Sequence, residues 1–158
     1  YPIESVDMMT KVIIEAEWEL ENKHYKYSNT NLTTRDIEKK YLIRTALEIS
    51  EELDFDGIIL FTKTGRLARL AAAYRPNNYI HSFSTESNTI WFTRILYGIV
   101  PHLLPTWWDT TENLENALKK LLNEGIITKK SRVIAITDLI KNNLEVPTLE
   151  IINVGDFI

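Results

Sequence analysis

The chain has 158 residues, 44% hydrophobic and 25% charged, with a net charge of -4 and no cysteine. That length suits one domain with a real core, and the acidic balance argues against a nucleic-acid or anionic-membrane partner. Disulfides and thiolate metal sites are excluded, no apolar run is long enough to cross a bilayer, and the composition fits a cytoplasmic protein.

The chain opens at Tyr1 without methionine or a signal-like segment, which predicts a piece of a longer protein. Residues 3–20 read as an amphipathic helix, with Ile3, Val6, Met9, Ile13, Ala16 and Leu20 at helical spacing and Pro2 suited to the first turn. The polar, aperiodic stretch 22–32 reads as a linker. A second helix follows, with a capping box at Thr33 and Asp36 and an apolar stripe of Leu42, Ala46, Ile49 and Leu53.

From residue 57 the pattern changes. "GIILF" (57–61) is a short continuous apolar run, as in a strand buried on both faces. "GRLARLAAAY" is helical and is stopped by Arg75-Pro76. "YIHSFS" (79–84) is the next strand, "NTIWFTRILYG" a helix closed by Gly98, and "IVPHLL" a third strand. "TTENLENALKKLLNEG" is a helix with Thr110 or Thr111 as cap and Gly125 as stop. "RVIAIT" (132–137) and "LEIINV" (149–154) are strands four and five.

Strands alternating with helices imply a mainly parallel sheet covered on both faces. Residues 138–148 leave little room for a crossover helix, so the fifth strand is expected antiparallel. The predicted fold is a three-layer αβα sandwich with a five-stranded, mostly parallel sheet whose last strand is antiparallel. Ligands in such sheets gather at the carboxyl ends of strands, where the winding reverses. The loop 62–65 lies at such an end, and so does Asp138.

No residues are assigned to catalysis or metal binding. Neither a G-x-x-x-x-G-K-[ST] nor a G-x-G-x-x-G loop occurs. His24, His81 and His102 lie in different elements without ligand spacing and read as surface or core histidines. Glu48, Glu51 and Glu52 read as the solvated face of a helix. Trp107 and Trp108 follow Pro105 in a loop and read as packing or interface residues. Thr62, Lys63, Thr64, Gly65 and Arg66 are different, because backbone N–H groups at a helix start, hydroxyls and a cation together suit an anion.

At these residues the sequence resembles a known family. "TKTGRLARLAAAYRP" is similar to the signature T-x-S-G-R-[TS]-A-x-x-x-[AS]-x-Y-R-P of the pyruvate kinase C-terminal domain. "TRILYGIVPHL" and "LNEGIITKKSRVIAIT" resemble the stretches that follow it. "YPIESVDMMTKVIIEAE" resembles the helix with which that enzyme's catalytic barrel ends. The likeness covers nearly the whole chain. It implies residues 1–21 as the last helix of the barrel, 22–32 as linker, and 33–158 as the C-terminal domain.

The resemblance implies a parent enzyme that moves a phosphoryl group between phosphoenolpyruvate and ADP with Mg²⁺ and K⁺, in a barrel preceding Tyr1. It implies no cofactor in this part. It also implies a tetrameric parent, with Leu149, Glu150, Ile151 and Ile152 at a subunit interface, and a phosphate or sugar-phosphate effector at residues 62–66. Two departures weaken the effector site. The family's second hydroxyl is Leu67 here, and losing a hydrogen bond to a charged group costs roughly 1.5–3 kcal/mol. The family's glycine-rich last loop matches "DLIKNNLEVPT", where Asp138 and Glu145 add negative charge and Lys141 alone offsets it. Two alternatives stay open: a stand-alone protein of this fold binding a small phosphorylated ligand, and a pure assembly module whose effector site has decayed.

Overall fold

The computed structural model describes residues 1–20, 34–105, 110–141 and 144–158. Helix α1 (Pro2–Leu20) is followed by α2 (Thr34–Glu52), β1 (Gly57–Phe61), α3 (Arg66–Ala72), β2 (Ile80–Ser84) and α4 (Ser87–Thr93). Then come β3 (Ile99–Leu103), α5 (Thr110–Asn123), β4 (Arg132–Lys141), β5 (Leu144–Asn153) and a short α6 (Val154–Phe157).

The five strands form one sheet in the order β3-β2-β1-β4-β5. The first four are parallel to their neighbours, with Ile58 level with Ile80 on one side and Ile134 on the other. Strand β5 runs antiparallel to β4, Val133 facing Ile152. This is the predicted sandwich. The winding reverses between β1 and β4, because β2 and β3 are added on one side of β1 and β4 on the other.

Alternation along the buried strands divides the core into two layers. Ile58, Leu60, Ile80, Ile134 and Ile136 face Ile43, Ala46 and Leu47 of α2 and Leu67, Ala68, Leu70 and Ala71 of α3. Ile59, Phe83, Val133, Ala135 and Ile152 face Leu114, Ala117, Leu118 and Leu121 of α5. Both faces of β1 are buried, which is why its sequence is continuously apolar.

Several expectations are corrected. The inward stripe of α2 is Ile43, Ala46, Leu47 and Ser50, while Leu53 is exposed. The stripe is therefore rotated from the predicted one. Strands β4 and β5 run ten residues each and pair from Arg132–Asn153 to Lys141–Leu144, so most of the stretch expected as a loop is hairpin. Thr137 and Thr148 face each other in that extension, and Thr137 Oγ1 lies 2.7 Å from Thr148 Oγ1. Such cross-strand threonine pairs let a polar segment stay in a ladder. The helix over 88–98 is shorter, and Val154 starts α6 instead of ending β5. The capping residue Thr33, the linker 22–32 and the pair Trp107 and Trp108 lie outside the described residues, as does the side chain of Asp36.

Candidate functional site: the loop after strand β1

The loop 62–65 leaves β1 at its carboxyl end, on the strand beside the winding reversal. Thr62 follows the last residue of β1 but stays tied to β2: it is buried and its N–H donates to the Phe83 carbonyl at 2.9 Å. Lys63 and Thr64 turn outward and are exposed. Gly65 caps α3 with φ at 75°, the left-handed region that glycine enters without a Cβ penalty. A Cβ there would also meet Thr93 Cγ2 at 3.2 Å and Phe92 Cδ1 at 3.3 Å. Both reasons demand glycine in the position the sequence singled out.

Helix α4 braces the loop. Thr89 Oγ1 donates to the Lys63 carbonyl at 2.8 Å, and Thr93 Oγ1 donates to the Thr89 carbonyl at 2.7 Å. The loop is thus held from below while Lys63, Thr64 and Arg66 face solvent. Arg69, one turn into α3, lies over the Phe92 ring at 5.5 Å. Lys63, Arg66 and Arg69 bring three cationic side chains to this end of the sheet.

The predicted anion residues are therefore contiguous, but not equivalent. Thr64, Lys63 and Arg66 reach solvent, whereas the Thr62 hydroxyl is inside. Leu67, where the family signature has its second hydroxyl, lies in the core layer beneath α3. The side chains of Asp138, Lys141 and Glu145 lie outside the described residues.

The predicted interface residues lie on the outer strand. Among the described residues strand β5 pairs with β4 alone, so its other side is a sheet edge. Ile151 is 52% exposed and Ile152 is buried against α5, while Leu149 packs on the α2–α3 layer. Glu150 accepts from Thr137 Oγ1 at 2.7 Å, so this carboxylate is turned back onto the sheet. An open groove of about 440 Å³ runs past residues 150–153, Asp156 and Phe157.

Glu48 is on the solvated face as expected, 2.7 Å from the Arg44 guanidinium. The histidine reading needs an addition. His81 and His102 are both buried and in contact, 3.0 Å apart through their ring nitrogens. Their separation of 21 residues gives no sequence signal; only the parallel pairing of β2 and β3 brings them together.

A three-layer αβα domain with an antiparallel edge strand and a left-handed glycine between β1 and α3 defines the class. Within that class the family model described as pyruvate kinase, alpha/beta domain, matches residues 40–152, and the chain belongs to that family. The chain is 29% identical to the pyruvate kinase of Borreliella burgdorferi, in an alignment covering 100% of this chain and 33% of that protein. It is 27% identical to the pyruvate kinase of Eimeria tenella, covering 86% of this chain and 26% of that one. The chain thus spans about a third or less of these relatives. Among solved structures, Cryptosporidium parvum pyruvate kinase in complex with ADP superposes with a TM-score of 0.69 at 20% identity, over 80% of this chain and 25% of that one. At that identity the likeness concerns the fold.

Proposed function

We propose that this chain is the C-terminal regulatory and oligomerisation region of a pyruvate kinase and has no catalytic activity of its own. The observation that carries this reading is the family match over 40–152 together with an open, partly apolar edge at β5. The parent enzyme would convert phosphoenolpyruvate and ADP to pyruvate and ATP in glycolysis, in the cytoplasm. Helix α1 would close its catalytic barrel. Among the described residues no group of three or more His, Cys, Asp or Glu side chains is placed to hold a metal ion. The family resemblance assigns the Mg²⁺ and K⁺ of the parent to the barrel.

Assembly is the stronger half of the proposal. The edge of β5 offers free main-chain pairing, and Ile151 is an exposed apolar side chain on it. A two-fold contact would set this strand against its own copy, within a tetramer in the parent. For regulation, Thr62, Lys63, Thr64, Gly65 and Arg66 are assigned to a phosphate or sugar-phosphate effector. The burial of Thr62 and Leu67 favours a second reading, in which the domain is kept for assembly and the effector site has decayed.

A coupled assay of the chain with phosphoenolpyruvate and ADP should show background only; turnover that survives repurification would overturn the proposal. Titration with inorganic phosphate separates the two readings. Amide shifts confined to residues 62–66 support regulation, and none up to high concentration supports the assembly module alone.

A further inference from the structure

Two buried histidines in contact, with an exposed glutamate beside them, lie on the α5 face of the sheet. His81 is 5% exposed on β2, and His102 is 6% exposed on β3. His81 Nδ1 is 3.0 Å from His102 Nε2, and His102 Nδ1 is 3.5 Å from Glu124 Oε2. The His102 ring stacks on Phe83 with centroids 4.8 Å apart. Gly57 lies beside the His81 ring, where a Cβ would sit in ordinary contact, 3.4 Å from Cδ2.

Glu124 is held in place by the way α5 ends. Gly125 adopts φ 70°, its N–H donates to the Leu122 carbonyl at 3.0 Å, and the Ile126 N–H donates to the Leu121 carbonyl at 3.0 Å. This doubly bonded stop fixes the last residue before the glycine. Lys120 Nζ, 3.1 Å from Glu124 Oε1, occupies the other carboxylate oxygen.

The carboxylate also sets a direction. It only accepts, so a hydrogen on His102 Nδ1 would point towards it and His102 Nε2 would be left as acceptor. His81 Nδ1 must then be the donor between the rings. In this arrangement both imidazoles are neutral with hydrogen on Nδ1.

We propose that His81, His102 and Glu124 form an acid-released latch that ties the outer strand β3 and the C-terminal end of α5 to the inner sheet. With both rings protonated, N–H would face N–H and the bond between the rings would break. A proton added at His81 would place a cation in a buried layer. The charged groups facing the pair from α5 are Glu124, which favours protonation, and Lys120, which opposes it at His102. The β1 residues beside His81, Gly57 and Ile59, carry no charge. Burial dominates: it pushes the His81 imidazole down to about 4, with His102 adding to the effect, and it holds His102 below its ordinary value.

The sign follows from linkage. The unfolded chain takes up these protons near the ordinary histidine value and the folded chain resists them. The latch is therefore fully stabilising above that value, and its contribution is lost as pH falls through about 4. For His81 alone this raises the unfolding constant by about two orders of magnitude between pH 7 and pH 4.

Nitrogen-15 spectra of the ring nitrogens and amide exchange of the 158-residue chain across pH test the latch. Expected are two neutral Nδ1–H rings at pH 6, and loss of amide protection in β3 and the end of α5 at a higher pH than in β1 and β4. Nε2–H tautomers, or both rings titrating at the ordinary histidine value, would overturn it, as would simultaneous loss of protection in β3 and β1. His81→Asn keeps a donor towards His102 and removes one titrating ring. The variant should lose about 100-fold less in the unfolding constant over the same range, and an unchanged loss contradicts the proposal. If that variant does not fold, Glu124→Gln decides: His102 should titrate at lower pH, and an unmoved titration contradicts the latch.

Discussion

At position 67 the chain places leucine on the inner side of α3, packed between the helix and the sheet. The absence of a hydroxyl there was legible in the sequence; its reason was not, because facing the core is a matter of helix rotation. Leu67→Ser removes a buried side chain and buries a hydroxyl, so it should destabilise the fold by about 2–5 kcal/mol whatever it does for an anion. Urea unfolding measures this, and a change near zero would contradict the packing described. Gly65 behaves differently. Gly65→Ala forces a Cβ into the left-handed region, costing about 1–2 kcal/mol, and presses on Thr93 and Phe92. The same unfolding experiment should show that loss, and amide shifts should spread into α4.

Among the elements, the strands with continuous apolar sequence were legible and the extension of the hairpin was not. Strands β1 and β2 announce themselves because both faces are buried. Residues 138–148 mix apolar and polar side chains around two asparagines, and in the described part cross-strand pairing extends the ladder. Helix α2 shows a related failure. Its apolar residues are spread around the helix, so spacing permits more than one stripe and contact with α3 selects Ile43 and Leu47. Helix α1 was legible as a helix, and its apolar residues Ile3, Val6, Met9, Val12 and Ile13 are exposed. It therefore has little burial to hold it. Its amides in dilute solution should exchange orders of magnitude faster than those of β1; equal protection would show that α1 is packed.

For the whole molecule, the sheet order puts the anion-type loop and the open edge in different places. The loop lies at the carboxyl end of β1, and the edge lies two strands away at β5. A change on one should leave the other intact. Ile151→Lys puts a charge on the exposed edge and should alter monomer stability by less than about 0.5 kcal/mol. It should still weaken pairing with a second copy, because lysine on an edge opposes strand addition. The family, the sheet and the strand direction were all readable from the ordered motifs, since each motif sits at a strand end or a turn where backbone geometry restricts the residue. The histidine chain was not readable, since it depends on neighbouring strands and on where α5 stops.

Sedimentation of the 158-residue chain over a wide concentration range, beside Ile151→Lys, tests the assembly role most directly. Reversible dimerisation of the unmodified chain is expected, with a clear shift to monomer for the variant. A chain that stays monomeric at the highest concentration, or a variant that associates as strongly as the original, would contradict it.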